Sequence, residues 1–331
     1  SLINAGIPNR VVALKDGTMG WHLAGYALER DQSRVAPKVS ARGLERSNAV
    51  TERVAARFSV PYVSLEELEG FRHEADARSL FVMDVRSPAE FKQSHLPGSR
   101  SAPGGQLVQA TDEYVGVRNA RLVLVDDTGV RATSTASWLI QMGWSEVYVL
   151  EVGVDQLPCV DGEESSVVLS LSNTTVHQIS VGELAARVNA GNAVLFDLAD
   201  SLTYRQGHLP GARMIRREEI PAWVSAQPSD GEIVLLSPDG VLAGVAAGDV
   251  TESTARTVSV LVGGTKAWQA AGNPIEVGVD PCWEEDPADV WYKPYERRDA
   301  VEEAMQAYLD WELGLVAQVN KDGCTTFRRF D

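Results

Sequence analysis

Two short loops carry the residue types that could do chemistry in this chain of 331 residues. Each follows an apolar run that suits a buried strand. Where such a loop leads into a helix, successive backbone N–H groups form a cradle for an anion. A cysteine there would be a reactive thiolate, because a helix N-terminus lowers the pKa of a thiol. Neither loop contains one: the first consists of Asp126, Asp127, Thr128, Gly129, Val130 and Arg131, and the second of Ser237, Pro238, Asp239, Gly240, Val241 and Leu242.

Both loops belong to a sequence unit that occurs twice. The run D-V-R-S-P-A-E-F-K-Q-S-H-L-P-G-S spans residues 84–99, and D-L-A-D-S-L-T-Y-R-Q-G-H-L-P-G-A spans residues 197–212. The two runs lie about 113 positions apart, which is the size of a domain. Short apolar runs alternate with helical runs in each copy, and this alternation predicts a parallel α/β sheet.

A partial third copy stands at the start of the chain. Residues 11–25 match residues 258–272, the end of the second copy. The match places Gly17, Thr18, Trp21 and Gly25 on Gly264, Thr265, Trp268 and Gly272.

The repeated residues resemble the rhodanese superfamily, which includes the thiosulfate sulfurtransferases. The signature D-x-R-x-x-x-E-F/Y-x-x-x-H-L/I-P-G-A/S is specific, and it occurs in both copies, with Ala199 in place of the arginine and Thr203 in place of the glutamate in the second. The resemblance covers most of residues 62–275 and also residues 1–25. It implies tandem rhodanese-like domains of the α/β class, each with a parallel central sheet flanked by helices.

In active members of this family the loop after the central strand reads C-x-x-G-x-R, and its cysteine carries a persulfide. The resemblance places Asp126 at the cysteine position of the first copy, which keeps the glycine and Arg131. Ser237 occupies that position in the second copy, and Leu242 replaces the arginine. Since neither a carboxylate nor a hydroxyl can carry a persulfide, we expect no catalytic residue in this chain.

The resemblance implies that the intact parent protein is a sulfurtransferase and that this chain is its catalytically silent portion. A small anionic sulfur donor such as thiosulfate would then bind in the part of the parent that holds the cysteine. The alternative is a non-enzymatic regulatory or protein-interaction module, so whether the protein is an enzyme stays open here. We expect no cofactor and no metal ion.

The side chain of Asp126 has two alternative positions. Turned inward, its carboxylate would meet the N–H donors and the helix dipole, and it would fill the anion cradle from within. Turned outward, Asp126 would be an ordinary turn or cap residue, as would Asp127. The sequence does not decide between the two.

The resemblance assigns a structural role to the signature residues Asp84, Arg86, His95, Asp197 and His208. Arg86 is expected to bridge loops. The two histidines are expected to hold turns through ring hydrogen bonds. Single histidines so far apart lack the spacing of metal ligands.

The repeats divide the chain into six segments. They are a remnant of a preceding rhodanese domain (1–25), a partly helical linker (26–61), a first rhodanese-like domain (62–153), a second linker (154–175), a second rhodanese-like domain (176–275) and a C-terminal extension with a terminal helix (276–331).

The leading segment cannot fold by itself, because one strand and one helix bury too little surface. We therefore expect this chain to be the C-terminal part of a longer multi-rhodanese protein. Its apolar residues need a host, which would be the first domain of this chain, a neighbouring chain in a homo-oligomer, or a retained upstream fragment.

Composition narrows the function classes further. The formal net charge of −16 argues against nucleic-acid binding, which needs a basic surface. The sequence shows no apolar stretch of about 18 residues, so no membrane span is expected. Three cysteines, Cys159, Cys282 and Cys324, are too few for a disulfide framework and favour a reducing cytoplasm.

Overall fold

A computed structural model of the chain separates into two compact units. It describes residues 2–330 except positions 31, 33, 35, 36, 165, 166, 170, 172–175, 192 and 227–230. The first unit comprises Ser1–Ser165 and Gln306–Asp331, and the second comprises Ser166–Met305.

The first unit is built on a five-stranded parallel sheet with the order β1-β5-β4-β2-β3. Its strands are β1 (Tyr62–Val63), β2 (Leu80–Asp84), β3 (Arg100–Ser101), β4 (Arg121–Val125) and β5 (Val147–Leu150). The three longest are the apolar runs of the sequence. They are buried on both faces, as central strands of a parallel sheet are.

The helices of the first unit that precede residue 165 contribute buried side chains, except for the first one, in which no residue is buried. They are α1 (Gly17–Leu23), α2 (Ala41–Phe58), α3 (Leu65–His73), α4 (Pro88–Gln93), α5 (Gly104–Gln109), α6 (Thr111–Tyr114) and α7 (Val130–Gln141). A capping box starts α3, since Ser64 accepts the N–H of Glu67 while the Glu67 carboxylate accepts the N–H of Ser64.

Helix α2 lies in the segment that the sequence assigned to a linker. Its residues Val54 and Phe58 are buried in one core with Ala136 and Leu139 of α7. The interpretation of residues 26–61 as a linker is therefore corrected for residues 41–58, which form a core helix of the first unit. The polar composition of α2 belongs to its exposed face.

The second unit repeats the architecture with the strand order β6-β10-β9-β7-β8. Its strands are β6 (His177–Ile179), β7 (Ala193–Asp197), β8 (Arg213–Met214), β9 (Glu232–Leu236) and β10 (Val258–Leu261). Its helices are α8 (Val181–Asn189), α9 (Ser201–Gln206), α10 (Ile220–Ala226), α11 (Val241–Ser253) and α12 (Gly264–Ala270). Two parallel sheets flanked by helices confirm the predicted fold class.

The C-terminal segment contains the long helix α13 (Val301–Asp322) and a tail. Two of its apolar residues, Met305 and Leu309, are buried, whereas Val316 is exposed. The tail packs on the first unit, where Phe330 makes an edge-on contact with Phe58 at 5.1 Å between ring centroids. Among the described helices, none has both the length and the apolar character needed to cross a membrane.

Candidate functional site

The carboxylate of Asp126 fills the first loop from within. The residue follows β4 directly and is only 3% exposed. One carboxylate oxygen accepts the backbone N–H of Thr128 at 3.1 Å and that of Gly129. The other accepts the N–H groups of Arg131 at 2.8 Å and Ala132 at 3.1 Å. The structure thus selects the inward position, and the donors that would hold a foreign anion already have an acceptor.

Burial raises the pKa of Asp126 above its ordinary value, because a carboxylate loses its hydration in the interior. The hydrogen bonds from Ala132, Gly129 and Arg131 act in the opposite direction, since they stabilise the ionised form. The neighbouring Asp127 carboxylate raises the pKa of Asp126 a little further. The ionised carboxylate therefore depends on its amide donors.

The guanidinium of Arg131 is held by two carboxylates. It donates to the two oxygens of Glu90 at 2.9 and 3.0 Å and to Asp127 at 2.9 Å. Hydrogen bonding to Arg131 and the capping bonds with Ser87 outweigh burial and lower the pKa of Glu90 to about 2. Although burial disfavours its charge, the same two carboxylates raise the pKa of Arg131. The positive edge of the loop is therefore neutralised.

Glu90 was not among the residues to which the sequence assigned a role. This residue caps α4 through Ser87, whose hydroxyl donates to the Glu90 carboxylate at 2.6 Å, and it also binds Arg131. The signal was present, since Glu90 is the glutamate of the D-x-R-x-x-x-E signature and Arg131 is the arginine of the loop. Their pairing joins α4 to the start of α7.

The second loop has no carboxylate at the cysteine position. Ser237 is fully buried, and its hydroxyl accepts the N–H of Ala243 at 3.2 Å. Asp239 accepts the N–H of Val241 at 3.0 Å. Among the described residues, no acceptor meets the N–H groups that correspond to those of Thr128, Gly129 and Arg131 in the first loop. Leu242 is exposed, so nothing of the arginine's chemistry remains at that position.

Each loop accepts a backbone hydrogen bond from the segment that follows the neighbouring strand, β5 in the first unit and β10 in the second. In the first unit the N–H of Val154 donates to the carbonyl of Asp126 at 2.9 Å. In the second the N–H of Thr265 donates to the carbonyl of Ser237 at 3.0 Å. The residue at the cysteine position is thus held by one equivalent hydrogen bond in each unit.

The family model of the rhodanese-like domain matches residues 64–157 and 180–271, more than half of the chain. The chain belongs to the rhodanese family. A crystal structure of a thiosulfate sulfurtransferase from Pseudomonas aeruginosa is similar over the whole chain, with 40% identity and a TM-score of 0.87. This chain spans 62% of the length of that protein.

A second relative matches only part of the chain. The thiosulfate sulfurtransferase GlpE of Pseudoalteromonas translucida (strain TAC 125) is 26% identical over 93 residues. The match covers 28% of this chain and 89% of that protein, so it corresponds to a single rhodanese unit.

The remaining signature residues of the rhodanese units form hydrogen bonds to nearby backbone groups. The Arg86 guanidinium donates to Oδ1 of Asp84 at 2.9 Å and to Oδ2 at 2.7 Å. It also donates to the carbonyl of Ser94 at 2.5 Å. In the second unit Asp197 accepts the N–H of Ala199 at 2.9 Å, and burial raises the pKa of Asp197.

The two signature histidines stack on aromatic rings within their own units. His95 stacks on Phe91 at 3.8 Å, and its Nδ1 lies 2.9 Å from the Phe91 carbonyl. His208 stacks on Tyr204 at 3.7 Å, with its Nδ1 2.8 Å from the Tyr204 carbonyl. In the described part of the chain, no group of three or more histidine, cysteine or acidic side chains could hold a metal ion.

The three cysteines lie outside both rhodanese loops. Cys159 is partly buried, and its Sγ lies 3.1 Å from the carbonyl of Val154. Cys282 and Cys324 are exposed. None of the three lies where one of the two loops meets the N-terminus of the following helix, the position at which a thiol would be activated.

Proposed function

We propose that this chain is the catalytically silent part of a rhodanese-family sulfurtransferase of the thiosulfate sulfurtransferase type. The observation that carries the proposal is the Asp126 carboxylate, which takes the four amide donors of the one loop that keeps its arginine. The P. aeruginosa relative supports the parent activity, since it is a thiosulfate sulfurtransferase and is longer than this chain.

The chemistry of sulfur transfer explains why the two loops are silent. A thiolate attacks the outer sulfur of thiosulfate, so that a new S–S bond forms to the cysteine, the S–S bond of thiosulfate breaks and sulfite leaves. The persulfide then passes its outer sulfur to an acceptor and the thiolate returns. A carboxylate at Asp126 cannot form that bond. Ser237 would need a base beside it, and in the described part of the chain its hydroxyl meets only the N–H of Ala243.

A non-enzymatic interaction module is the second candidate function. It is favoured by the same filled cradle, because the first unit keeps its loop structure without needing a ligand. On this hypothesis the intact protein would also lack a persulfide-carrying cysteine, whereas the first proposal places that cysteine in a part of the parent outside this chain.

Persulfide formation tests the proposal. The purified chain is incubated with thiosulfate, freed of excess reagent and analysed by intact mass, with an active rhodanese treated alongside. We expect the active enzyme to gain one sulfur atom that cyanide removes, and this chain to gain none. A cyanide-labile sulfur on Cys159, Cys282 or Cys324 would overturn the proposal.

A further inference from the structure

The start of the chain has the local geometry of the segment that closes the second rhodanese unit. Helices α1 and α12 contain seven residues each. Gly17 and Gly264, which open them, have φ values of +58° and +61°. Gly25 and Gly272, which follow them, have φ values of +83° and +77°. Such left-handed conformations favour glycine, so the sequence match extends to the backbone.

A side-chain hydrogen bond is repeated in the same place. The indole Nε1–H of Trp21 donates to the carbonyl of Ala27 at 3.0 Å. The indole Nε1–H of Trp268 donates to the carbonyl of Pro274 at 2.8 Å. In both segments the acceptor lies six residues after the tryptophan, so residues 16–27 are folded as a closing segment.

The two segments differ in what covers them. In the second unit Leu261 is 0% exposed and Trp268 is 3% exposed, because both lie in the core. Their counterparts Leu14 and Trp21 are 56% and 40% exposed, and Val12 is 71% exposed. Burying apolar surface stabilises by about 25 cal/mol per Å², and neighbouring exposed apolar side chains mark a binding surface.

The position of β10 defines the kind of partner that would cover this surface. β10 lies between β6 and β9 and is hydrogen-bonded to both. By contrast, residues 10–14 pair with no strand in the described part of the chain. A partner that buries them in the same way must supply a strand on each side. Because β10 shares its sheet with four other strands, the matching partner is a four-stranded parallel sheet of the rhodanese type.

The closing segment also holds the loop at the cysteine position. In the second unit, Thr265 and Lys266 donate their N–H groups to the carbonyls of Ser237 and Pro238, both at 3.0 Å. The equivalent amides, those of Thr18 and Met19, meet no acceptor among the described residues.

The close contact between the closing segment and the loop is also seen at Gly264, the first residue of α12. A Cβ added to Gly264 would lie 2.0 Å from the Ser237 carbonyl oxygen, since the loop crosses directly over this glycine. A Cβ added to Gly17 meets nothing within 4 Å. The side of Gly17 on which a loop would lie is open.

We propose that residues 11–27 are the closing strand and helix of a further rhodanese-type sheet, and that the amides of Thr18 and Met19 position the loop of that sheet at its cysteine position. The occupant is a four-stranded rhodanese-type polypeptide supplied from outside residues 11–331. The P. aeruginosa relative, of which this chain spans 62%, is long enough to contain it. The inference goes beyond the proposed function, because it holds whether or not sulfur is transferred.

A segment exchange within the full chain tests the proposal. Residues 258–274 are replaced by a second copy of residues 11–27, which has the same length. We expect the second unit to stay folded, with hydrogen-exchange protection of β6 and β9 as in the wild type. The Thr18 and Met19 amides of the inserted copy should exchange at least about tenfold more slowly than those at the native start of the chain.

The matched control carries Gly17→Val and Trp21→Ala in the inserted copy. It should lose the protection of β6 and β9, because the new side chain meets the loop and the indole leaves the core. Loss of protection in the second unit of the unmutated exchange, with the first unit still protected, would overturn the proposal.

A fusion tests the occupant. A copy of residues 176–257, which lacks the closing strand, is joined in front of Val11 of the full chain, and a copy of residues 176–274 serves as the folding control. We expect Trp21 to become buried, seen as a blue shift of its fluorescence, only in the first fusion. If the fused copy of residues 176–257 is unfolded while the control copy of residues 176–274 is folded, the proposal is overturned. If the control copy does not fold either, the segment exchange decides.

Light scattering of the wild-type chain addresses the other occupant. A dimer in which Trp21 is already buried would show that a second copy of this chain covers the segment. That result would overturn the proposed occupant, whereas a monomer with an accessible Trp21 supports it. None of these measurements depends on sulfur transfer, so their failure is distinct from failure of the proposed function.

Discussion

Glu90 and Arg131 form a two-point ion pair, with oxygen–nitrogen distances of 2.9 and 3.0 Å. The pair joins the signature helix α4 to the loop helix α7 across 41 positions of the chain. Because Asp127 binds the same guanidinium, the arginine that this loop shares with active family members faces two carboxylates. The guanidinium of the first loop is thus held by internal ion pairs.

The Glu90–Arg131 pair should make the stability of the first unit depend on acidity. The pKa of Glu90 is lowered from its ordinary value of 4.5 to about 2 in the folded state. The stabilisation is therefore complete above pH 4.5 and is lost as the pH falls through about 2. We expect Glu90→Gln to reduce the unfolding free energy at pH 7 by about 0.5–1 kcal/mol, since the pair is partly exposed.

Chemical denaturation at several pH values checks this dependence. The difference between wild type and Glu90→Gln should shrink as the pH is lowered from 5 towards about 2. Glu183→Gln is a control, because Glu183 caps α8 without an arginine partner of this kind. A wild-type advantage that grows with acidity would contradict the assigned ion pair.

Asp126→Ala should open the anion cradle. The change leaves four backbone N–H groups without their acceptor, which costs about 1–3 kcal/mol. Sulfate or thiosulfate should then raise the melting temperature of the variant, because an anion that binds only the folded state stabilises it. The wild type should not respond beyond the effect of sodium chloride at equal ionic strength. An equal response of both proteins would show that the cradle is not filled by Asp126.

Cysteine substitutions should give thiols of unequal acidity. In Asp126→Cys the thiolate would meet up to four amide donors and lie near Arg131, so we expect a thiol pKa below the ordinary value of about 8.5. In Ser237→Cys the side chain replaces a hydroxyl that meets only the N–H of Ala243, and Leu242 offers no positive charge. The pH dependence of alkylation measures both values. Equal reactivity would mean that the arginine and the amide arrangement do not control the thiol.

Gly264→Ala should be more damaging than Gly17→Ala. Both changes place an alanine at a left-handed φ, which costs about 1–2 kcal/mol. Only at Gly264 does the added Cβ approach a carbonyl oxygen, so we expect a further loss of about 1–3 kcal/mol. Thermal unfolding compares the two variants. A larger loss at Gly17 would indicate that its open side is covered in solution.

The elements defined by local pattern were predictable. The apolar runs became strands, and the capping boxes at Ser64 and Ser180 start α3 and α8, because these features depend on residues a few positions apart. The family model confirmed the rhodanese resemblance in both copies of the repeat. Helix α2 was expected to be only partly helical, and its packing was missed because a polar composition conceals the few residues that reach the core.

The site depended on contacts that local patterns do not contain. Glu90 and Arg131 both stood in recognised motifs, but nothing in the sequence joins them, since their contact arises only when the fold brings α4 and the start of α7 together. The inward position of Asp126 depends on the rotation of its side chain, and the same sequence is compatible with an outward rotation. Pairing and orientation required the three-dimensional structure.

Neither loop contains a thiol that could carry the transferred sulfur, and a thiosulfate:cyanide assay tests the consequence of this absence most directly. Purified residues 1–331 are assayed for thiocyanate beside a heat-inactivated sample and a variant with serine at Cys159, Cys282 and Cys324. We predict no thiocyanate above the inactivated control in either protein. Turnover by the wild-type chain that disappears in the serine variant would contradict the account, because it would place the persulfide on a cysteine of this chain.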